Sequence, residues 1–211
     1  MGQRSDARRK MVLAAKQVMR ERGYHATAFS EVLKRSGAPR GSVYFHFPGG
    51  KNQLVVEAAE DHAHEQITLI DRAAEQADSV TTLVQSYLDM GRDAMVASGY
   101  GRGCGIAPLV IESAGRESEE IGETGRRAFS EMTERLAFHL SALGADRAAA
   151  RSLATAVLAG LEGAMITSRA LHSPAPFDSM RDTLLSHAAV TSPKESLAST
   201  SEFGGPGQAI P

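Results

Sequence analysis

Cysteine is almost absent from this chain of 211 residues: Cys104 stands alone. No intrachain disulfide can form, and the composition fits a reducing, cytoplasmic interior. Long apolar runs are missing too. The most apolar later stretch, Leu153 to Ile166, carries Glu162 and two glycines, so it is not expected to span a membrane. Near the start, Arg4, Arg8, Arg9 and Lys10 lead into a mixed amphipathic segment, so no signal peptide and no membrane partner are expected. Apolar and polar residues nowhere alternate at strand spacing, and no repeat is evident, which leaves an all-α chain.

Patterns that would carry catalysis are incomplete. Gly50-Lys51 has the ending of a phosphate-binding loop, but Phe45 sits where its first glycine belongs and Asn52 where a metal-binding Ser or Thr is needed. Gly101, Gly103 and Gly105 lack both the preceding strand and the spacing of a dinucleotide loop. His64-Glu65 begins a zinc-protease motif that Thr68 breaks, while His62 and His64, two apart, diverge on a helix. No Gly-x-Ser-x-Gly elbow occurs. Neither an enzymatic activity, nor a cofactor, nor a bound metal is expected.

What the chain does have is charge segregated by position. The formal net charge is −2, yet residues 1–52 hold eleven Lys/Arg against three Asp/Glu, a balance of +8. Residues 53–211 hold twelve against twenty-two, a balance of −10. A basic head on an acidic body suits a polyphosphate partner for the head alone.

Within that head the stretch from Gly23 to Lys51 is densest in signals. Thr27 is placed to N-cap a helix with Phe29, Val32 and Leu33 on its apolar side. Gly37 breaks the pattern, and Pro39 with Arg40 is expected to open the next helix. Only Val43 and Phe47, four apart, form an inward pair there. The rest of that helix is hydrogen-bonding, aromatic or very small. This pattern predicts a helix-turn-helix with its second helix as reader. Arg40 and Ser42 are the candidates for base edges, since an arginine can address guanine O6 and N7 with two bonds. Tyr44, His46 and Lys51 are the candidates for phosphate, Lys51 at a helix N-terminus. Gly41 would let backbone approach the sugar-phosphate chain, and Thr27 adds one possible phosphate contact. The alternative for Tyr44 and His46 is packing inside the head.

The runs G-Y-x-A-T and S-G-A-P-R-G-S-V-Y-F-H-F-P-G-G-K resemble the DNA-binding signature of TetR-type bacterial repressors. The double glycine before Lys51 resembles the LmrA/YxaF-like branch. Ala28 and Pro39 depart from it, standing where that family often has a polar residue and a serine. The resemblance implies a homodimer that represses transcription from a palindromic double-stranded DNA operator and releases it on binding a small-molecule inducer. A DNA-binding activator or architectural protein without such a ligand is the rival reading.

Elsewhere the chain reads as helices. Ser5 and Asp6 are placed to cap a first helix running to about Arg22, and Gly50 divides a head (1–50) from a body (51–191). Body helices are expected over Lys51 to about Gln76, Val80 to Ser98, Glu117–Leu143, Asp146 to about Leu171, and around Phe177 to Val190, with Ile106–Ser113 a short apolar helix or turn. Tyr87, Met90, Phe129, Met132 and Met165 either line a pocket or fill core, and only the family resemblance favours the pocket. Leu153, Val157, Leu161, Phe177, Met180 and Leu184 are expected at a four-helix dimer interface. Cys104 reads better as a small buried residue in a tight turn than as a redox sensor. The Pro/Ser/Gly/Thr-rich residues 192–211 have too few apolar side chains to pack and are expected to be mobile.

Overall fold

The computed structural model describes residues 2–112 and 119–191; the tail from 192 onward lies outside the described residues. Among the described residues there are nine helices and no strand. They are α1 (Gly2–Arg22), α2 (Phe29–Ser36), α3 (Ser42–His46), α4 (Gly50–Glu75), α5 (Val80–Ala97), α6 (Ala107–Glu112), α7 (Glu119–Ala142), α8 (Arg147–Leu171) and α9 (Ala175–Thr191).

Helix α1 packs on α2 and α4, with Met11, Ala15, Val18 and Met19 fully buried at helical spacing. It starts at Gly2, before the expected Ser5-Asp6 cap. Asp6 therefore lies inside the helix, where its carboxylate pairs with Lys10 one turn on, at 2.7 Å. A buried cation joins α1 to α4: Lys16 is 5 % exposed, and its Nζ lies 2.5 Å from carboxylate oxygens of both Asp61 and Glu65. Burying an ammonium group is tolerable only with such partners.

The body is built on α4 against α7, α7 against α8, and α9 lying across α5 and α8. Ser79 caps α5 reciprocally with Thr82, and the Asp146 carboxylate caps α8 by accepting from the amides of Ala148 and Ala149. Small residues set the closest helix approaches. A Cβ at Gly160 would meet the Met180 side chain of α9 at 3.0 Å, whereas one at Gly163 meets nothing, so only the first of the two serves helix packing within the protomer. Helix α8 is long and apolar enough to cross a membrane by composition, but it packs between α7 and α9, with Leu153, Val157 and Leu161 in the core.

Candidate nucleic-acid interface

The turn between α2 and α3 begins at Gly37, whose φ of 67° and amide bond to the Leu33 carbonyl close α2 in a left-handed cap that a side chain would strain. Helix α3 is a five-residue turn starting at Ser42, so Pro39 and Arg40 precede it rather than open it. The main-chain amide of Ser42 donates to the Pro39 carbonyl at 2.9 Å, and its hydroxyl donates to the same oxygen at 2.6 Å. A base contact from Ser42 Oγ would have to displace that bond.

Val43 and Phe47 are buried as the inward pair, which turns the opposite face outward. Tyr44 is 70 % exposed and Phe45 67 %. Tyr44 stands edge-on to Phe29, ring centres 5.7 Å apart, and half-buried His46 lies beside the Phe45 ring at 5.1 Å. Arg40 and Gly41 are exposed at the approach to the helix. Phe45 was absent from the candidates. The inward pair at 43 and 47 carried the signal, because a residue midway between them on a helix must face away.

Thr27 is corrected. It is fully buried, and its hydroxyl donates to the Gly23 carbonyl at 2.9 Å. The N-cap position of α2 belongs to Ala28, with no side-chain cap. A buried hydroxyl bonded one turn back has no reach to a phosphate. Arg8 is likewise structural, pairing with Glu57 at 2.6 Å and covering the Phe47 ring at 5.3 Å, while the Arg4 side chain lies outside the described residues. Lys51, in the first turn of α4, rests its Nζ 4.0 Å above the Tyr24 ring and donates to the His25 carbonyl at 3.4 Å. Partial burial lowers its pKa, opposed by the nearby Glu112 carboxylate.

Glu112, at the end of α6, reaches from the body to this same corner. It accepts from the backbone amides of Tyr24 at 3.1 Å and His25 at 2.8 Å. The α1–α2 corner is therefore held by a body side chain.

Of the pocket candidates, Tyr87, Met90, Met132 and Met165 line one internal cavity of about 50 Å³. Phe129 is not in its wall; it packs on the core as a partly buried residue. That volume admits a few waters and no drug-sized molecule. Tyr87 Oη in its wall is buried without a hydrogen-bond partner, and burial raises the pKa of this hydroxyl. Cys104 is buried, accepts from the amides of Ile106 and Ala107, and burial pushes its thiol up. It is an inert turn residue and not an activated thiolate.

Four of the dimer candidates are also corrected. Leu153, Val157, Leu161 and Phe177 are buried inside the protomer, and Met180 and Leu184 pack partly buried against the same core. The apolar stripe of α8 is needed by its neighbours in the same chain. Residues left facing out on that helix include the small Ser152, Ala156, Ala159, Gly163 and Thr167, and also the large apolar Ile166 and Leu171.

A basic three-helix unit with an exposed aromatic and arginine-bearing reader turn, carried on a helical body, defines a helix-turn-helix transcriptional regulator. Residues 12–58 match the domain described as bacterial regulatory proteins, tetR family. Residues 80–183 match the C-terminal domain of LmrA/YxaF-like transcriptional regulators. An uncharacterised HTH-type transcriptional regulator of Mycobacterium tuberculosis is 33 % identical over 175 residues, covering 81 % of this chain and 88 % of that protein. The HTH-type transcriptional regulator LmrA of Bacillus subtilis is 28 % identical over 171 residues, covering 81 % and 90 %. In fold, the regulatory protein TetR from Rhodobacter sphaeroides superposes with a TM-score of 0.75 at 22 % identity, covering 86 % of this chain and 98 % of that one. The chain belongs to the TetR family of bacterial transcriptional regulators, in its LmrA/YxaF-like branch.

Proposed function

We propose that this regulator is a ligand-responsive repressor that binds a palindromic operator as a homodimer and leaves it when a small molecule occupies the body. Residues 1–50 form the reading unit and 51–191 the effector and dimerisation unit. The carrying observation is the outward face around α3: Arg40, Gly41, Tyr44 and Phe45 are exposed together in the part of the chain with a balance of +8. Arg40 and Ser42 read bases, while Tyr44, His46 and Lys51 hold phosphates. Two such turns enter successive major grooves about one helical turn apart. The homodimer forms through the outward faces of α8 and α9, whose small residues let two helix pairs approach closely. Ser179, Thr183 and Ser186 of α9 are exposed as well. The smallness of the inner cavity favours the rival without an effector, and an effector site elsewhere in the body answers it.

Binding to double-stranded fragments from the gene's own upstream region, titrated with salt, tests the reading. Log affinity should fall linearly with log salt concentration and one fragment should exceed the others by about a thousandfold or more. Affinity independent of salt on every fragment overturns it.

A further inference from the structure

We propose that the open groove between the C-terminal end of α1 and helices α6 and α8 binds a small organic carboxylate with an apolar body, and that this groove is the effector site. The inference rests on the ligand-responsive reading above and gives it a place and a chemical class. The groove has a volume of about 410 Å³, within the range of small-molecule sites, whereas the inner cavity has about 50 Å³. Met19, Ala107, Pro108, Ile111, Met165 and Ile166 make its walls largely apolar.

Charge selects the head group. Six charged side chains line the groove, and three of them are occupied by charged or amide partners. Glu21 pairs with Arg35 at 2.7 Å and lies 3.7 Å from Arg102. Glu112 accepts from the amides of Tyr24 and His25. Arg22 lies 3.6 Å from Glu31. Arg20 and Arg169 differ, because their guanidinium groups donate to backbone carbonyls alone. Arg20 Nε donates to Gly103 O at 2.9 Å; Arg169 Nη2 donates to Glu21 O at 3.0 Å and to Gly101 O. Among the described residues neither has a carboxylate in ion-pair contact. Burial lowers the pKa of Arg20, opposed by the more distant carboxylates of Glu65 and Glu21. The sixth group, Glu162, has its carboxyl pKa raised by burial, opposed by a hydrogen bond with Cys104. A carboxylate matches a guanidinium fork with two parallel bonds, which an amine or alcohol cannot do.

Arg20, Gly103, Cys104, Glu162 and Met165 line both the groove and the inner cavity. The wall of that adjacent cavity holds the partnerless buried Tyr87 Oη. Methionine side chains there can yield to a guest.

Occupancy would act on the head directly. The contacts Arg169–Glu21 O, Arg20–Gly103 O and Gly103 N–Arg20 O (2.9 Å) hold the last turn of α1, which leads into α2 and α3. A carboxylate on Arg169 competes with the Glu21 carbonyl. It therefore prefers a state in which the end of α1 is released, and that differential affinity shifts the population.

The test uses octanoate, octylamine and 1-octanol, which share one apolar body, in calorimetric titrations of the full chain without DNA. Octanoate should bind saturably, one per protomer, at least tenfold tighter than the other two. Arg169→Gln keeps an amide donor for the carbonyls and drops the charge; it should lose octanoate affinity at least tenfold. Ile111→Glu, at an exposed rim position that leaves the α1 contacts untouched, should do the same. In parallel, octanoate should weaken operator binding by the wild type at least tenfold. Equal binding of octylamine or octanol, undiminished octanoate binding in both variants, or no saturable binding overturns the site. Binding without DNA release overturns its effector role. Protein that binds operator but not octanoate refutes this inference and leaves the regulator reading intact, whereas protein that binds no DNA refutes that reading as well.

Discussion

The DNA contacts proposed for Lys51 and Arg40 differ in kind, and the surroundings of the two side chains give the reason. Lys51 is a point charge lodged over the Tyr24 ring at the start of a long helix, suited to a phosphate and indifferent to sequence. Lys51→Ala should weaken binding equally on specific and non-specific fragments and lower the salt slope by about one. An unchanged slope removes Lys51 from the phosphate contacts. Arg40 is exposed in the turn before α3, free to present its fork to a base edge. Arg40→Ala should relax preference at one base per half-site, at about 1–3 kcal/mol, as read by competition with operator variants at that position. Uniform weakening would make it a backbone contact. Buried Thr27 offers no such test: its hydroxyl is bonded to Gly23 O, and replacing it probes folding only.

At the scale of elements, the head is tied to the body through α1 and α4. Neighbouring His62, with Nδ1 at 3.7 Å, and Lys16, at 2.5 Å, lower the Glu65 carboxyl from 4.5 to about 2. Burial lowers the pKa of His62 itself, and Arg20 adds a second cation in electrostatic reach of Glu65. A carboxyl whose folded pKa is depressed adds stability above its unfolded pKa and loses it as pH falls toward the folded value. The thermal midpoint of wild type should therefore exceed that of Glu65→Gln at pH 6, with the difference closing as pH falls from 4.5 toward 2. A difference constant across that window would show that Lys16 is held by Asp61 alone. The expected helix ends at Gly37 and Asp146 are found as read, because each is a local backbone event. The start of α1 differs: an acidic residue can cap a helix or sit within its first turns, and sequence does not choose.

For the whole molecule, the proposed homodimer turns on which face of α8 looks outward. Gly163 is exposed, with nothing within 4 Å of a Cβ placed on it. Gly163→Arg should therefore leave the protomer folded and raise the dimer dissociation constant at least tenfold, on the order of the 1.4 kcal/mol that one decade represents. Sedimentation at graded concentrations checks this, and an unshifted equilibrium would place the interface elsewhere.

Helix order, the glycine-marked turn between α2 and α3, the sign of the head's charge and the family were legible in the chain. They rest on short-range periodicity, glycine and proline positions and a contiguous motif, none of which needs a neighbour distant in sequence. Partner choice was not legible. An apolar stripe such as Leu153, Val157 and Leu161 is equally suited to a core or to a second copy. Tyr87 and Phe129 looked alike as pocket walls until packing put one at a cavity and the other, partly buried, against the core. The bonds of Arg20 and Arg169 to carbonyls of the Gly101–Gly103 loop and the end of α1 join residues as many as 148 positions apart. Only the tertiary structure could decide such pairings, because a buried charge takes whatever partner the packing brings near, and sequence separation does not enter its energy.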